Sequence, residues 1–159
     1  MSLSGHYRRA LVTGGAGFIG SHIVEELLND GLEVVSVDDY SGGKEENVAP
    51  FLENDRFTAV SCDVTDLESL RPHFEGVDLV FHQAVSKMTV CLRDPRRDLE
   101  VNAKGTFNML ELARDHDVKK FVHASTGSVY GEAMYYPTDE SHPLNPASYY
   151  GVSKLAAEK

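Results

Sequence analysis

Short apolar runs, several of them rich in Val, alternate along the chain with segments in which apolar residues recur every three or four positions. The short runs have the length of buried strands, and the wider spacing is that of one face of a helix. Five strands are predicted, over Ala10–Thr13, Glu33–Val37, Phe57–Val60, Val77–His82 and Lys120–Ala124. Because strands that alternate with helices pair in parallel, the pattern predicts an α/β fold, a doubly wound parallel sheet with helices on both faces.

The helical pattern occupies segments between and after these strands. A first helix is predicted over Ile19–Leu28, with Gly31 as its stop. Asn145 is the predicted N-cap of the last helix, and Pro146 is its predicted first residue. Residues 40–55 are predicted to form a surface loop with a little helix. The remaining predicted helices cover Asp66–His73 and about Arg97 to Asp115.

The end of the sequence bears on domain organisation. A length of 159 residues is enough for one hydrophobic core. The apolar pattern of the last helix is still running at Lys159, and no capping residue follows it. We therefore expect residues 1–159 to be a single, incomplete nucleotide-binding domain, with a C-terminal substrate-binding domain absent from this chain.

The charge and cysteine content exclude several classes of function. The formal net charge is −10 and no run of Lys or Arg exceeds two residues, which argues against a nucleic-acid partner. No apolar stretch reaches membrane-spanning length, so no membrane partner is expected. Cys62 and Cys91 are the only thiols, and their spacing suggests neither a metal site nor a disulfide framework. We expect a reduced, cytoplasmic compartment.

A glycine-rich motif follows the first strand. Gly14, Gly17 and Gly20 lie between the predicted strand and helix. In a Rossmann-like unit, such glycines allow a sharp turn, a close approach of the main chain to a pyrophosphate, and close packing of the helix on the strand. The helix N-terminus then offers free amides and a partial positive charge to the phosphates. A tight turn that binds no ligand is the alternative.

An acidic residue ends each of the next two strands. Asp38 lies about 20 residues beyond the glycine motif, where a carboxylate accepts hydrogen bonds from ribose hydroxyls and repels a 2′-phosphate. The expected cofactor is therefore NAD rather than NADP. Asp63, after the third strand, is placed to meet the adenine amine. A simple turn role is the alternative for both residues.

Tyr150 and Lys154 are four residues apart in the last helix, so their side chains share one face. A phenol has an ordinary pKa of about 10 and is a poor base near neutral pH. A neighbouring ammonium, together with the positive nicotinamide ring of NAD⁺, would favour the phenolate and lower that pKa. Tyr149 is the rival phenol, but the residue one turn beyond it is the uncharged Ser153.

Four motifs in this order resemble those of the extended short-chain dehydrogenase/reductase family, and most closely its nucleotide-sugar epimerases and dehydratases. They are Thr13–His22 with its glycines, Asp38, Ala124–Gly131 with Ser125, Thr126 and Tyr130, and Tyr150–Lys154. The likeness covers nearly the whole chain. One departure is Val85, where the family usually has Ala in the sequence His-x-Ala-Ala after the fourth strand.

The resemblance implies a role for each matching residue. Tyr150 would be the catalytic acid and base, and Lys154 would hold the nicotinamide ribose and tune Tyr150. Thr126 matches the residue that bonds the reacting sugar hydroxyl, with capping of the strand end as the alternative. Asn102 matches a supporting residue on the long helix, or has no role, and Lys87 matches a cofactor-side lysine. The motif residues that would contact NAD are Gly14, Gly17, Phe18, Ile19 and Gly20.

The residues after Thr126 help to choose the reaction. Dehydratases and decarboxylating relatives carry carboxylates there, whereas this chain has Gly127 and Ser128. The expected activity is therefore that of a UDP-glucose/UDP-galactose type 4-epimerase, with tightly bound NAD and a transient 4-keto sugar. A dehydratase or reductase of the same family, and a non-catalytic NAD-sensing protein, are the alternatives.

The resemblance also implies partners. The substrate would be a nucleotide sugar carrying UDP. The assembly would be a homodimer in which the long helix from Arg97 and the helix of Tyr150 form a four-helix bundle. Phe107, Leu110 and Leu112 fit a buried helix, but the sequence leaves open whether they face the sheet or a second subunit.

Overall fold

Five parallel strands form one sheet in a computed structural model that describes residues 2–159. The strands lie in the order β3-β2-β1-β4-β5, and every neighbouring pair is parallel. Their bounds are Arg9–Thr13 for β1, Glu33–Asp38 for β2, Phe57–Ser61 for β3, Leu79–His82 for β4 and Lys120–His123 for β5. The carboxyl ends of all five strands therefore meet at one edge of the sheet, which is where ligands bind in such folds.

Helices connect the strands and follow the last one. They are α1 (Phe18–Asn29), α2 (Leu67–Leu70), α3 (Met88–Cys91), α4 (Pro95–Leu99), α5 (Thr106–Asp115) and α6 (Tyr149–Glu158). A π-helical segment, Glu100–Gly105, joins α4 to α5, so that one helical rod extends from residue 95 to 115. Short 3-10 turns lie at Glu45–Asn47, Ala49–Phe51, Arg71–Phe74 and Gly127–Val129.

Each face of the sheet has its own hydrophobic core. On one face, Val24, Leu27 and Leu28 of α1 pack against alternate residues of β1 and β2, such as Val12 and Val34. On the other face, Met109 and Leu112 of α5 pack with Leu11 and Val80. Successive strand residues point to opposite faces, so the buried runs in the sequence supply both cores at once. The predicted doubly wound sheet is confirmed.

A buried histidine joins the sheet to the helical rod. His82, at the end of β4, is 1% exposed. Its Nδ1 lies 2.6 Å from the hydroxyl of Thr13, and its Nε2 lies 2.9 Å from that of Thr106. Burial lowers the pKa of His82 to about 3, so the ring is neutral near pH 7. His82 is thus a packing residue at the end of β4.

The start of the last helix differs from the prediction. Asn145 and Pro146 lie in irregular chain, and α6 begins at Tyr149. Ser148 is the N-cap, and its hydroxyl accepts a hydrogen bond of 3.0 Å from the backbone amide of Gly151. The prediction of an Asn145 cap is therefore wrong, because Ser148 is an equally good capping residue three positions later. The stop at Gly31 is confirmed, with a φ of +94° after the last turn of α1.

Two helical features were not predicted. Helix α3 is a single turn in the loop after β4, which is too short to give a periodic pattern. The π-helical segment has the same apolar periodicity as its flanks, so the sequence predicts only one continuous helix there. Within the part of the chain that the structure describes, no helix is both long and apolar enough to cross a membrane.

The corrected helix start can be tested by removing each candidate cap. Ser148→Ala should lower the free energy of unfolding by about 1 kcal/mol, because the amide of Gly151 loses its partner. Asn145→Ala should change it by less than about 0.5 kcal/mol, since that side chain lies outside the helix. Denaturant titration measures both, and a larger loss for Asn145→Ala would restore the original prediction.

Candidate functional site

A cleft of about 590 Å³ lies at the carboxyl edge of the sheet. Most of the residues predicted from the sequence as site residues line it: Gly14, Gly17, Phe18, Ile19, Gly20, Asp38, Asp63, Lys87, Tyr150 and Lys154. Thr126 and Asn102 are not among the lining residues. A second, more open groove of about 750 Å³ runs along the outer side of α1, and it shares only Phe18 and Ile19 with the cleft.

The glycine turn forms one wall of the cleft. Its close backbone contacts leave no room for a side chain at position 14 or 20. Gly14 has a φ of +66°, a conformation that favours glycine. A Cβ atom at position 14 would lie 2.8 Å from the amide nitrogen of Ala84, and one at position 20 would overlap the carbonyl oxygen of Gly14. The strand, the turn and α1 therefore pack at backbone distance.

Helix α1 begins beside the cleft without a side-chain cap. Its N-cap residue is Gly17, so no side chain bonds the amides of the first turn. Phe18 and Ile19 in that turn are 79% and 63% exposed. Free amides and the positive end of the helix dipole are suited to an anion such as a diphosphate.

Asp38 has the turn role and also lines the cleft. Its Oδ2 accepts a hydrogen bond of 3.0 Å from the amide of Ala16, and its Oδ1 accepts one of 2.8 Å from the amide of Tyr40. Burial raises the pKa of Asp38, and these two hydrogen bonds oppose the rise. Because each carboxylate oxygen has two lone pairs, the side chain can still accept from a ribose hydroxyl. The two interpretations of Asp38 therefore do not exclude each other.

Asp63 is held by a cation that sequence reasoning missed. The Nη2 atom of Arg97 lies 2.5 Å from Oδ2 of Asp63 and 3.7 Å from a carboxylate oxygen of Asp39. The amide of Thr65 donates to Oδ1 of Asp63 over 2.8 Å. Burial would raise the pKa of Asp63, but these partners outweigh burial and hold it below its ordinary value. The turn role predicted as an alternative is thus present, and Arg97 lines the cleft as well.

Lys87 lies at the mouth of the cleft, opposite the loop after β2. Its Nζ donates to the carbonyl oxygen of Gly42 over 3.4 Å. Gly42 and Gly43, which the sequence analysis did not single out, also line the cleft. A Cβ at position 42 would lie 2.8 Å from Cε of Lys87, so a side chain there would displace the end of the lysine.

Tyr150 and Lys154 line the end of the cleft nearest to β5. Lys154 is 2% exposed, and its Nζ donates to the carbonyl oxygen of Ala124 over 2.6 Å. Burial lowers the pKa of Lys154 to about 8. Burial also raises the pKa of Tyr150, and the hydroxyl of Thr126 opposes that rise. In the protein alone, the phenol is therefore a weaker acid than usual, and the lowering of its pKa that the sequence predicts requires bound NAD⁺.

Thr126 caps a short turn close to Tyr150. Its hydroxyl accepts a hydrogen bond of 3.2 Å from the amide of Ser128 and so begins the 3-10 turn Gly127–Val129. The alternative predicted from the sequence is capping of the strand end, whereas Thr126 caps this turn, three residues after the end of β5. The same hydroxyl is close enough to influence the pKa of Tyr150.

Asn102 is buried in the π-helical segment and bonds a residue that lines the cleft. Its Oδ1 accepts a hydrogen bond of 2.9 Å from the amide of Ser86, which lines the cleft. Its Nδ2 donates to Oδ1 of Asp98 over 3.0 Å and to the hydroxyl of Ser153 over 3.1 Å. Sequence reasoning missed Asp98, whose position one turn before Asn102 carries no motif of its own.

Comparison with known proteins identifies the family of the chain. The model of the NAD-dependent epimerase/dehydratase family matches residues 10–159. UDP-glucose 4-epimerase of Mycolicibacterium smegmatis is 44% identical over 154 residues, covering 94% of this chain and 49% of that protein. The chain thus spans about half the length of the curated relatives that it matches.

Solved structures agree with the sequence comparison. UDP-glucose 4-epimerase of Thermus thermophilus, in complex with NAD, superposes with a TM-score of 0.84 at 43% identity, covering 94% of this chain and 48% of that one. The dTDP-glucose 4,6-dehydratase DesIV of Streptomyces venezuelae, with NAD bound, gives a TM-score of 0.88 at 37% identity, covering 94% and 49%. The chain therefore belongs to the NAD-dependent epimerase/dehydratase family.

Proposed function

We propose that this chain is the NAD-binding part of a nucleotide-sugar 4-epimerase of the UDP-glucose/UDP-galactose type. The observation that carries the proposal is the convergence, in one cleft, of an uncapped helix start, a carboxylate at the end of β2, and a Tyr/Lys pair on α6. The similarity to UDP-glucose 4-epimerases over 94% of the chain supports the same activity.

The residues of the cleft fit NAD from end to end. The glycine turn lets α1 pack against the end of β1 at backbone distance, and the amides of α1 would hold the diphosphate. Asp38 would accept from the adenosine ribose, and Asp63 and Lys87 would contact the same cofactor. Lys154 would donate to the nicotinamide ribose. When bound, NAD⁺ would supply a hydride acceptor and donor for C4 of the sugar.

The proton is moved by this chain's own residues. Tyr150 as phenolate would take the proton from the sugar 4-hydroxyl and return it after the 4-keto sugar has turned over in the pocket. Lys154 would stabilise the phenolate by its charge, and the hydroxyl of Thr126 would bond the same phenol or the sugar oxygen. Because the phenol's pKa is raised in the protein alone, we expect the base to form only beside bound NAD⁺.

The distribution of carboxylates favours epimerisation over dehydration. Among the described residues that line the cleft, the acidic ones are Asp38, Asp39 and Asp63, all at the ends of β2 and β3. None of these three carboxylates lies at the β5 end of the cleft, where Gly127 and Ser128 follow Thr126. Elimination of water needs an additional acid and base at the reacting centre. A dehydratase or reductase of the same family remains the second candidate.

The proposed partners are a UDP-sugar and a second copy of the chain. Leu112 faces the sheet, but Phe107 and Leu110 on the same helix are 65% and 44% exposed, and Val152 on α6 is 51% exposed. This apolar surface on the two helices supports a homodimer built from them. We expect most sugar contacts to come from residues outside this chain. The cytoplasmic location stays a prediction.

The full-length protein distinguishes the candidate functions. We expect it to carry bound NAD after purification and to interconvert UDP-glucose and UDP-galactose without net NADH release.

The matched pair Tyr150→Phe and Tyr149→Phe tests whether Tyr150 is the base. Removing the Tyr150 hydroxyl should lower kcat by at least about 100-fold while the Kd for NAD stays within about threefold. Tyr149 is 73% exposed, so its variant should retain activity.

Other outcomes of this experiment contradict the proposal. NADH released in proportion to product indicates a reductase or dehydrogenase, and a 4-keto-6-deoxy product indicates a dehydratase. NAD binding with no turnover of any UDP-sugar indicates a sensing protein. Near-normal activity of Tyr150→Phe removes that residue from the mechanism.

Asp38 is expected to set the preference for NAD. Asp38→Asn keeps an acceptor oxygen but removes the charge that would repel a 2′-phosphate. The ratio of the Kd for NADP to the Kd for NAD should therefore fall by about tenfold or more. Calorimetric titration with each dinucleotide measures the ratio. Asp39→Asn, a change at the adjacent carboxylate, is the control, and an equal fall in both variants would show that Asp38 does not read the ribose.

A further inference from the structure

Three buried polar side chains join the catalytic helix to the loop that follows β4. Asp98 is fully buried, and Asn102 and Ser153 are each 1% exposed. The hydroxyl of Ser153 donates to Oδ2 of Asp98 over 2.6 Å, and Nδ2 of Asn102 donates to Oδ1 over 3.0 Å. Nδ2 of Asn102 also lies 3.1 Å from the Ser153 hydroxyl, so the three groups contact one another. We call them the Asp98 triad.

The triad holds a carboxylate without a cation. Among the described residues, no Lys, Arg or His forms an ion pair with Asp98. Burying such a group is costly unless its oxygens accept hydrogen bonds. Both oxygens of Asp98 do so, and both donors are neutral. Removal of either donor would leave part of the carboxylate unsatisfied, so the three side chains constrain one another's positions.

Each member of the triad belongs to a different functional element. Ser153 lies on α6, between Tyr150 and Lys154. Asn102 lies in the π-helical segment and accepts from the amide of Ser86 over 2.9 Å. Ser86 and its neighbour Lys87 line the cleft on the side of the loop. A continuous path of hydrogen bonds therefore runs from the helix that carries the proposed base to the loop that would contact the cofactor.

A second path fixes the same loop from the sheet. The amide of Ala84 donates to the hydroxyl of Thr13 over 3.1 Å, and that hydroxyl is bonded to His82. The ring of His82 reaches Thr106, whose hydroxyl donates to the carbonyl oxygen of Asn102 over 2.6 Å. Both paths thus meet at Asn102. Only the triad, however, extends from there to α6.

We propose that Asp98 and Ser153 are positioning residues that set the distance between the Tyr150–Lys154 helix and the Ser86–Lys87 loop. The inference rests on the proposed function, because it concerns how the two sides of the same cleft are held around NAD. Neither Asp98 nor Ser153 lines the cleft, so neither would contact NAD directly. The triad then keeps the Tyr150 hydroxyl at a fixed distance from a cofactor that the loop contacts.

Amide hydrogen exchange on this chain tests the connection without requiring turnover. Ser153→Ala removes one donor from Asp98 and does not touch Ser86. We expect the Ser86 amide to exchange about tenfold faster, because Asn102 is no longer held against the loop. The Val12 amide, in the core of β1, reports any global loss of stability. The Kd for NAD should rise about fivefold.

Asn108→Ala is the matched control on the same helical rod. Asn108 is also buried, but its Nδ2 bonds the carbonyl oxygen of Val64 and no member of the Asp98 triad. Its variant should leave exchange at Ser86 within about twofold of the unmodified chain, after correction by Val12. Equal acceleration at Ser86 in Ser153→Ala and Asn108→Ala, or none in either, would overturn the proposal.

A double-mutant cycle tests whether Asp98 acts through Ser153. Asp98→Asn and Ser153→Ala should have non-additive effects on exchange at Ser86, since both disrupt one contact. Additive effects would contradict the shared path. The proposed function fails separately: if the unmodified full-length protein turns over no UDP-sugar, the exchange data still test the triad. If the full-length protein does turn over a UDP-sugar while exchange at Ser86 is unchanged in Ser153→Ala, only the triad proposal fails.

Discussion

The backbone contact between the end of β1 and the start of α1 is the constraint on which the cleft depends. Only glycine at position 20 lets the helix approach the carbonyl oxygen of Gly14, and only glycine at position 14 leaves room for the amide of Ala84. This approach directs the uncapped amides of α1 toward the carboxyl edge of the sheet. Parallel pairing then brings the ends of β2, β4 and β5 to the same edge, so residues far apart in sequence line one cleft.

Charge is distributed unevenly along this cleft. Three carboxylates lie at the ends of β2 and β3, and two of them, those of Asp39 and Asp63, pair with the guanidinium of Arg97. At the β5 end, burial lowers the pKa of His82 to about 3 and that of Lys154 to about 8. Near pH 7 the ring of His82 is therefore neutral, whereas the ammonium of Lys154 remains mostly protonated. A cationic ring placed there would add its charge to that of Lys154 in favouring the phenolate of Tyr150, because a buried site strengthens electrostatic interactions.

The sequence predicted the fold and most of the cleft because both follow from local patterns. The buried runs gave all five strands, and the glycine motif, Asp38, Tyr150 and Lys154 were found from their spacing relative to those strands. What it missed depends on three-dimensional context. The helix start at Ser148 had a competing cap at Asn145, and the π-helical segment shares the periodicity of an α-helix. Arg97 and Asp98 acquire their roles only because folding brings them to Asp63 and Ser153.

The central claim is that the phenol of Tyr150 and the glycine turn serve one NAD molecule. A crystal structure of this protein with NAD⁺ tests it most directly. The account predicts the diphosphate at the first turn of α1 and the nicotinamide C4 within about 5 Å of the Tyr150 hydroxyl, a separation that leaves one sugar hydroxyl and its carbon between them. A nicotinamide ring bound well away from Tyr150, with the diphosphate seated in the turn, would contradict it.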